Sequence, residues 1–296
     1  MELLQQVING LAQGGIYSLI AIGWTTVFGI VGVMNWTHGE VYMLGAYVGY
    51  FLCMAGMPLL PALIIAMAVG AVLAMLIDHL GYRPLRKKRK MLTAGFITAL
   101  GLSTFLRYSA TAAFTPDPRA YPGILDYKML SLFSMGGSTL AISSIHMTIL
   151  AATIVIMVIL QLFISKTVTG KAMLAAAQDM QTLELMGAES EKLIKVTFAI
   201  SGALGAAAGV FVGIIYSVNP MMGALAGLKG WSVAILGGIG SITGSLVGGL
   251  ILGIAESLTA GFISTGYKDA IGFTIMIAVL LIKPTGLMGF RFEEKV

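Results

Sequence analysis

Few side chains in this 296-residue sequence can do chemistry, and several of them fall in one stretch, NWTHGE at 35–40. Asn35, Thr37, His38 and Glu40 bring together an amide, a hydroxyl, an imidazole and a carboxylate. His38 with Glu40 suggests acid–base or metal chemistry. The two other histidines do not support it, because His79 adjoins a basic loop, His146 lies near the far end of another apolar run, and no H-E-x-x-H spacing exists. No metal and no cofactor is expected. A P-loop, G-x-x-x-x-G-K-[ST], and the nucleophile turn G-x-S-x-G are both absent, so the chain does not bind ATP by a P-loop and lacks a convergent catalytic set. Cys53, the single cysteine, lies in an apolar run and reads as a small packing residue.

The surroundings of these polar groups decide what they can be. The sequence is 57% hydrophobic and 10% charged, whereas a soluble domain carries about a quarter charged residues. There are too few charges to clothe a water-facing globule, so the fold class is all-α, a polytopic transmembrane helix bundle. The runs are continuously apolar, without the alternation of a membrane barrel. Candidate spans are 8–34, 41–57, 59–81, 92–114, 141–165, 193–217, 231–258 and 270–283, about eight in all. The opening MELLQQ lacks a basic region and a cleavage pattern, so the first run reads as a retained membrane segment. The net charge of +5 is spread between spans. It fits contact with lipid headgroups, not nucleic acid.

Lysine and arginine set the orientation. RPLRKKRK (83–90) is expected in the cytoplasm, and so are 166–192, with Lys166, Lys171 and Lys192, and the tail, with Lys283, Arg291 and Lys295. TFLRYSATAAFTPDPRAYPGILDYKML (104–130), with Asp117, Arg119, Asp126 and Lys128 balanced, is expected outside. If 218–230 is outside and the tail inside, 231–258 cannot cross just once before 270–283 crosses again. A broken or re-entrant helix pair is therefore expected, with its break at Gly237, Gly238, Gly240 and Ser241. NWTHGE is a second possible break, which leaves the side of the N-terminus open.

Gly10/Gly14, Gly45/Gly49, Gly205/Gly209 and Gly240/Gly244/Gly248 form small-residue stripes at four-residue spacing, which allow helices to approach closely. NWTHGE admits two readings: polar groups along a solute path or at a helix break, or an interfacial turn with Trp36 and Tyr42 as belt aromatics. Arg107 is expected to snorkel to the outer interface. Glu256, within an apolar run, is the single candidate for a coupling-ion site should the chain be a self-sufficient secondary transporter. TGKAMLAAAQDMQTLELMGAESEKLIK (169–195) is a strong helix former with Gly187 as its stop. It could be an amphipathic connector on the headgroups or a lever that a partner pushes.

Taken together, these segments resemble the permease subunits of branched-chain amino-acid ABC importers, the LivH/LivM family and nearest the LivH type. NWTHGEVYMLGAY is similar to the family's N-F-A-H-G-E-x-Y-M-x-G-A-Y. GKAMLAAAQDMQTLELMG resembles its cytoplasmic loop, and the Gly-rich 234–258 and KPTGLMG (283–289) resemble its C-terminal region. The resemblance implies a single transmembrane permease domain over 1–296, in a bacterial plasma (inner) membrane. Implied partners are a second permease subunit, as a heterodimer or a homodimer, two cytoplasmic ATPase subunits and a periplasmic or extracellular substrate-binding protein. The 170–187 segment would dock in an ATPase cleft through Gly170, Lys171, Ala175, Ala176, Gln178, Asp179, Glu184 and Gly187. Asn35, Thr37, His38, Glu40, Gly237, Gly238, Gly240 and Ser241 would flank the path of Leu, Ile or Val. Urea, a short amide or another amino acid is the alternative cargo. The chain departs from the pattern at Leu174, where the family carries a basic residue, and at Trp36 and Thr37.

Overall fold

The computed structural model describes residues 2–88, 91–123, 129–135 and 138–289. Arg89, Lys90, Asp126, Lys128, Arg291 and Lys295, invoked above for orientation, lie outside the described residues. In chain order the helices are α1 (Glu2–Val31), α2 (His38–Met54), α3 (Leu59–Ile77), α4 (Arg83–Lys87), α5 (Met91–Phe114), α6 (Ser144–Lys166), α7 (Val168–Gln178) and α8 (Met180–Leu185). They continue with α9 (Ser190–Ile215), α10 (Met222–Gly237), α11 (Ile242–Phe262) and α12 (Lys268–Ile282). A π-turn, Asp78–Tyr82, joins α3 to α4. A short antiparallel hairpin, β1 (Met129–Met135) with β2 (Ser138–Ser143), precedes α6. It joins the end of the expected outer segment to the start of the span expected at 141–165 and does not alter the helical class.

Lipid is as apolar as leucine, so the bundle is held by close packing and not by removal of apolar surface from water. Glycines make that packing possible at the centre. On α1, Gly10 faces Ile254 of α11, and Gly14 faces Gly249 and Leu250, with backbone opposite each. Gly70 of α3 meets Gly202 of α9, and Gly45 of α2 meets Ala206 of α9. α1 and α9 are thus the buried core of the bundle, whereas α6 and α12 present much of their length outward.

The expected break at 237–241 is present, and it resolves the crossing problem. α10 begins at Met222, inside a stretch assigned to the outside from its sequence, and 231–258 is two antiparallel helices turned at Gly238 (φ 106°) and Gly240 (φ 84°). Positive φ is readily adopted by glycine because it has no Cβ. Ser241 caps α11 by accepting from Gly244 N at 3.0 Å, and Thr25 of α1 accepts from Gly240 N at 2.8 Å. KPTGLMG completes the turn: Leu287 N donates to Leu236 O at 2.9 Å and Met288 N to Gly237 O at 2.8 Å. These bonds satisfy carbonyls that a helix end leaves free.

NWTHGE is a second break. Gly32 has φ 72° and residues 32–37 are non-helical. α2 starts beside the middle of α1, since the His38 ring lies against Gly23 and Gly205. Contacts also fix the ends of the bundle. Gly240 lies next to Gly29 of α1, whose face also borders Ala177 of α7, and Arg83 pairs with Glu191 at the start of α9 at 2.9 Å. The Lys/Arg-rich 83–88, α7, α8, the 238–241 turn and 283–289 therefore share one end of the bundle. α1 runs antiparallel to α11, so its first residues sit at the opposite end.

Candidate functional site

Asn35, Thr37, His38 and Glu40 are buried within the protein, and Trp36 is half-buried. Asn35 Oδ1 accepts from Thr37 Oγ1 and, at 3.0 Å, from Tyr82 OH. The His38 ring lies 3.2 Å from Ile20 O through Nε2 and 3.1 Å from Ser201 Oγ through Nδ1, and it is 1% exposed. Glu40, 0% exposed, accepts at Oε1 from Ser103 Oγ (2.9 Å) and from Arg107 Nη2 (2.6 Å). The belt reading of this segment is overturned, because Trp36 packs edge-on against Trp24 at 5.9 Å and Tyr42 is buried. Arg107 likewise does not snorkel: it pairs with Glu40, a carboxylate 67 residues away. None of these four polar residues borders the larger cavities described below. Their partners lie on α1, α5, α9 and the π-turn, around the start of α2.

The 166–192 segment is less regular than its sequence suggests. The helix expected over 170–187 is interrupted at Asp179 (φ −156°), whose carboxylate accepts from Thr182 N at 3.0 Å and so caps α8. Gly187, at φ 87°, ends the segment as expected. Lys171, Leu174, Ala175, Gln178, Asp179, Glu184 and Gly187 are exposed, whereas Gly170 and Ala176 are buried. Gly170 is forced by its turn, since a Cβ there would overlap the Phe163 and Ile164 backbone. Met173 and Ala176 anchor α7 against Leu193 of α9, with Ile30 of α1 and Phe163 of α6 around them. A narrow crevice lined by Thr25, Gly29, Met173, Ala177 and Gly240 joins α7 to the 238–241 turn.

Two cavities lie toward the other end. One, of about 410 Å³, is lined by Gln5, Asn9, Gln13, Tyr17 and Glu256; the other, of about 270 Å³, by Ile20, Val212, Met222, Leu225 and Lys229. Gln13, Tyr17, Tyr216 and Lys268 line both. Between them, Lys229 Nζ stands 2.9 Å from Glu256 Oε2 and 2.7 Å from Asp269 Oδ1, and Tyr17 OH donates to Glu256 Oε2 at 2.6 Å.

A family model described as "Branched-chain amino acid transport system / permease component" matches residues 6–280. The chain belongs to this family of permease components. It is 38% identical over 303 residues to the high-affinity branched-chain amino acid transport system permease protein LivH of Salmonella typhimurium, covering 99% of this chain and 97% of that one. With the corresponding protein BraD of Pseudomonas aeruginosa it shares 39% identity over 304 residues, covering 99% and 98%. In fold it is similar to a solved structure of PsaBC from Streptococcus pneumoniae, with a TM-score of 0.52 over 94% of this chain and 91% of that one, at 13% identity.

In this permease component Glu256 is singled out by its sequence, but Lys229, which meets it between the cavities, is not. Lys229 lies in LAGLKGW, a stretch read as an outer loop, although Glu256 alone would have called for a cation nearby. Gln5, Asn9, Gln13 and Tyr17 recur every four residues, which puts them on one face of α1. That polar stripe in an apolar helix was a legible signal.

Proposed function

We propose that the permease imports branched-chain amino acids, Leu, Ile or Val, across a bacterial plasma membrane, driven by two ATPase subunits that dock on α7 and α8. The observation carrying this is the placement of α7. Its buried face touches α1, α6 and α9 and borders the 238–241 turn, while Lys171, Leu174, Ala175 and Gln178 face outward. Leu185, 89% exposed, and Met186, 80% exposed, extend an apolar surface that water would not favour uncovered. Asp179, Glu184 and Gly187 complete the docking face, and Gly170 and Ala176 fix it to the bundle.

In this reading nucleotide binding moves α7, and the crevice at Gly240 passes the movement to α10 and α11, a bistable pair biased by a ligand bound elsewhere. Gly237, Gly238, Gly240 and Ser241 act as the transmitting joint. Asn35, Thr37, His38 and Glu40 anchor the start of α2 beside the path. A second permease subunit closes the other side of the path, and an external binding protein delivers the solute. The names of the relatives support the cargo. A self-sufficient carrier is disfavoured because Glu256, its one candidate coupling site, already holds Lys229 and Tyr17. The test is leucine uptake by cells carrying the full set of subunits. Uptake abolished by a catalytically dead ATPase supports the reading; uptake that continues refutes it.

A further inference from the structure

We propose that the Lys229–Glu256 pair is the permease's own recognition element for a zwitterionic amino-acid head group, with the apolar side chain held in the cavity beside it. This rests on the amino-acid importer reading above. The pair joins α10 to α11, and the two cavities reach it from different sides: Glu256 lines the polar one, with Gln5, Asn9 and Gln13, and Lys229 lines the one walled by Ile20, Val212 and Leu225. An apolar pocket with a few convergent polar groups is the usual form of a small-ligand site.

The charge arithmetic favours one class of ligand. Separating Lys229 from Glu256 strands the buried carboxylate at high cost and leaves the ammonium with Asp269 alone. A zwitterion placed between the partners compensates both, its carboxylate taking the Lys229 ammonium and its own ammonium taking the Glu256 carboxylate. The bundle's charge balance is the same before and after. A solute lacking the ammonium leaves Glu256 unmatched, and one lacking the carboxylate leaves Lys229 with Asp269 alone. Lys229 has a second carboxylate at Asp269, 2.7 Å away. That contact keeps the ammonium placed while Glu256 exchanges, and Tyr17, which bonds both Glu256 and Lys229, can follow the carboxylate. The closed pair is thus a plug that matches what it admits.

The test measures leucine uptake and ATP hydrolysis together in liposomes holding the complete importer and its binding protein. Glu256→Gln and Lys229→Met are each expected to lower leucine moved per ATP by about tenfold or more, the scale of a lost polar match. Hydrolysis stimulated by the binding protein stays within about twofold, because the docking face is untouched. Leu225→Trp, outside the charged cluster, narrows the apolar cavity and is expected to lower leucine uptake more than valine uptake. Unchanged leucine per ATP in both charge variants would overturn the proposal. So would equal loss of uptake and hydrolysis, or full recovery in the exchanged pair Lys229→Glu with Glu256→Lys, since each marks a purely structural role. Should the charge variants fail to assemble, an unchanged leucine-to-valine ratio in Leu225→Trp overturns it. If the unmodified importer moves no amino acid at all, the importer reading falls as well.

Discussion

Arg107 of α5 donates to Oε1 of Glu40, in the first turn of α2, from Nη2 at 2.6 Å and from Nε at 3.1 Å. The carboxylate is fully buried and its second oxygen has no hydrogen-bond partner, so Arg107 and Ser103 are what stabilise its charge. α2 starts at membrane depth, where an unpaired carboxylate costs at least a few kcal/mol. The pair fixes that start against α5.

Arg107→Met is therefore expected to destabilise the purified complex by about 3 kcal/mol, because it strands a buried charge. Adding Glu40→Gln should recover much of that loss. Thermal unfolding in detergent measures both. A double variant no better than Arg107→Met alone would show that the charge is compensated elsewhere.

His38 fills the space between Gly23, Gly205 and Ser201 and does not itself line either of the two cavities. His38→Ala should lower the amount of assembled complex while leaving leucine transport per assembled complex within about twofold, as expected for a packing residue outside the reacting path. Quantifying complex and uptake in the same membranes checks this. Normal assembly with uptake lost would put His38 on the path.

Gly39 and Gly223 are set backbone to backbone where α2 crosses α10, and a Cβ on either would overlap the other's carbonyl. Gly39→Ala should cost about 1–3 kcal/mol by forcing the helices apart. Gly101→Ala is the control: that α5 glycine has nothing within 4 Å of an added Cβ, so alanine should be neutral or stabilise by up to about 1 kcal/mol. Melting temperatures of the two variants should move in opposite directions or by clearly different amounts.

Asp179 caps α8 through Thr182. Asp179→Ala is expected to weaken α8 by about 1 kcal/mol. The readouts are faster amide exchange over 180–185 and less leucine moved per ATP. Unchanged exchange would mean that α8 is held by its neighbours instead.

Much of this architecture was legible in the sequence. Long apolar runs mark the helices, and the cluster at 237–241 marks a turn because glycine tolerates positive φ there. The need for an extra crossing was also legible, but its location was not. Lys229 and the glycines at 223, 227 and 230 make α10 look too polar for a membrane, and only the fold brings Glu256 and Asp269 to Lys229. The same holds for Arg107, whose partner lies 67 residues away and whose burial no local pattern reveals. The stop inside 170–187 was readable, since Asp179 is a preferred cap residue three positions before Thr182, and helix propensity alone obscured it. NWTHGE showed that a polar group was needed at depth; its role as an anchor depends on Tyr82, Ser103 and Ser201, none of them nearby in sequence.

The central claim is that α7 and α8 carry force from separate ATPase subunits to the 238–241 turn. Oxidant-driven disulfide crosslinking between a cysteine placed at Ala175 or Gln178, both exposed on α7, and a cysteine placed on the ATPase surface, in a Cys53→Ala background, measures it most directly in the assembled importer. The expected result is a nucleotide-sensitive crosslink to an ATPase subunit that arrests leucine uptake and is reversed by reduction. Cysteines at these positions that never reach an ATPase, in membranes that go on importing leucine at the full rate, would contradict it.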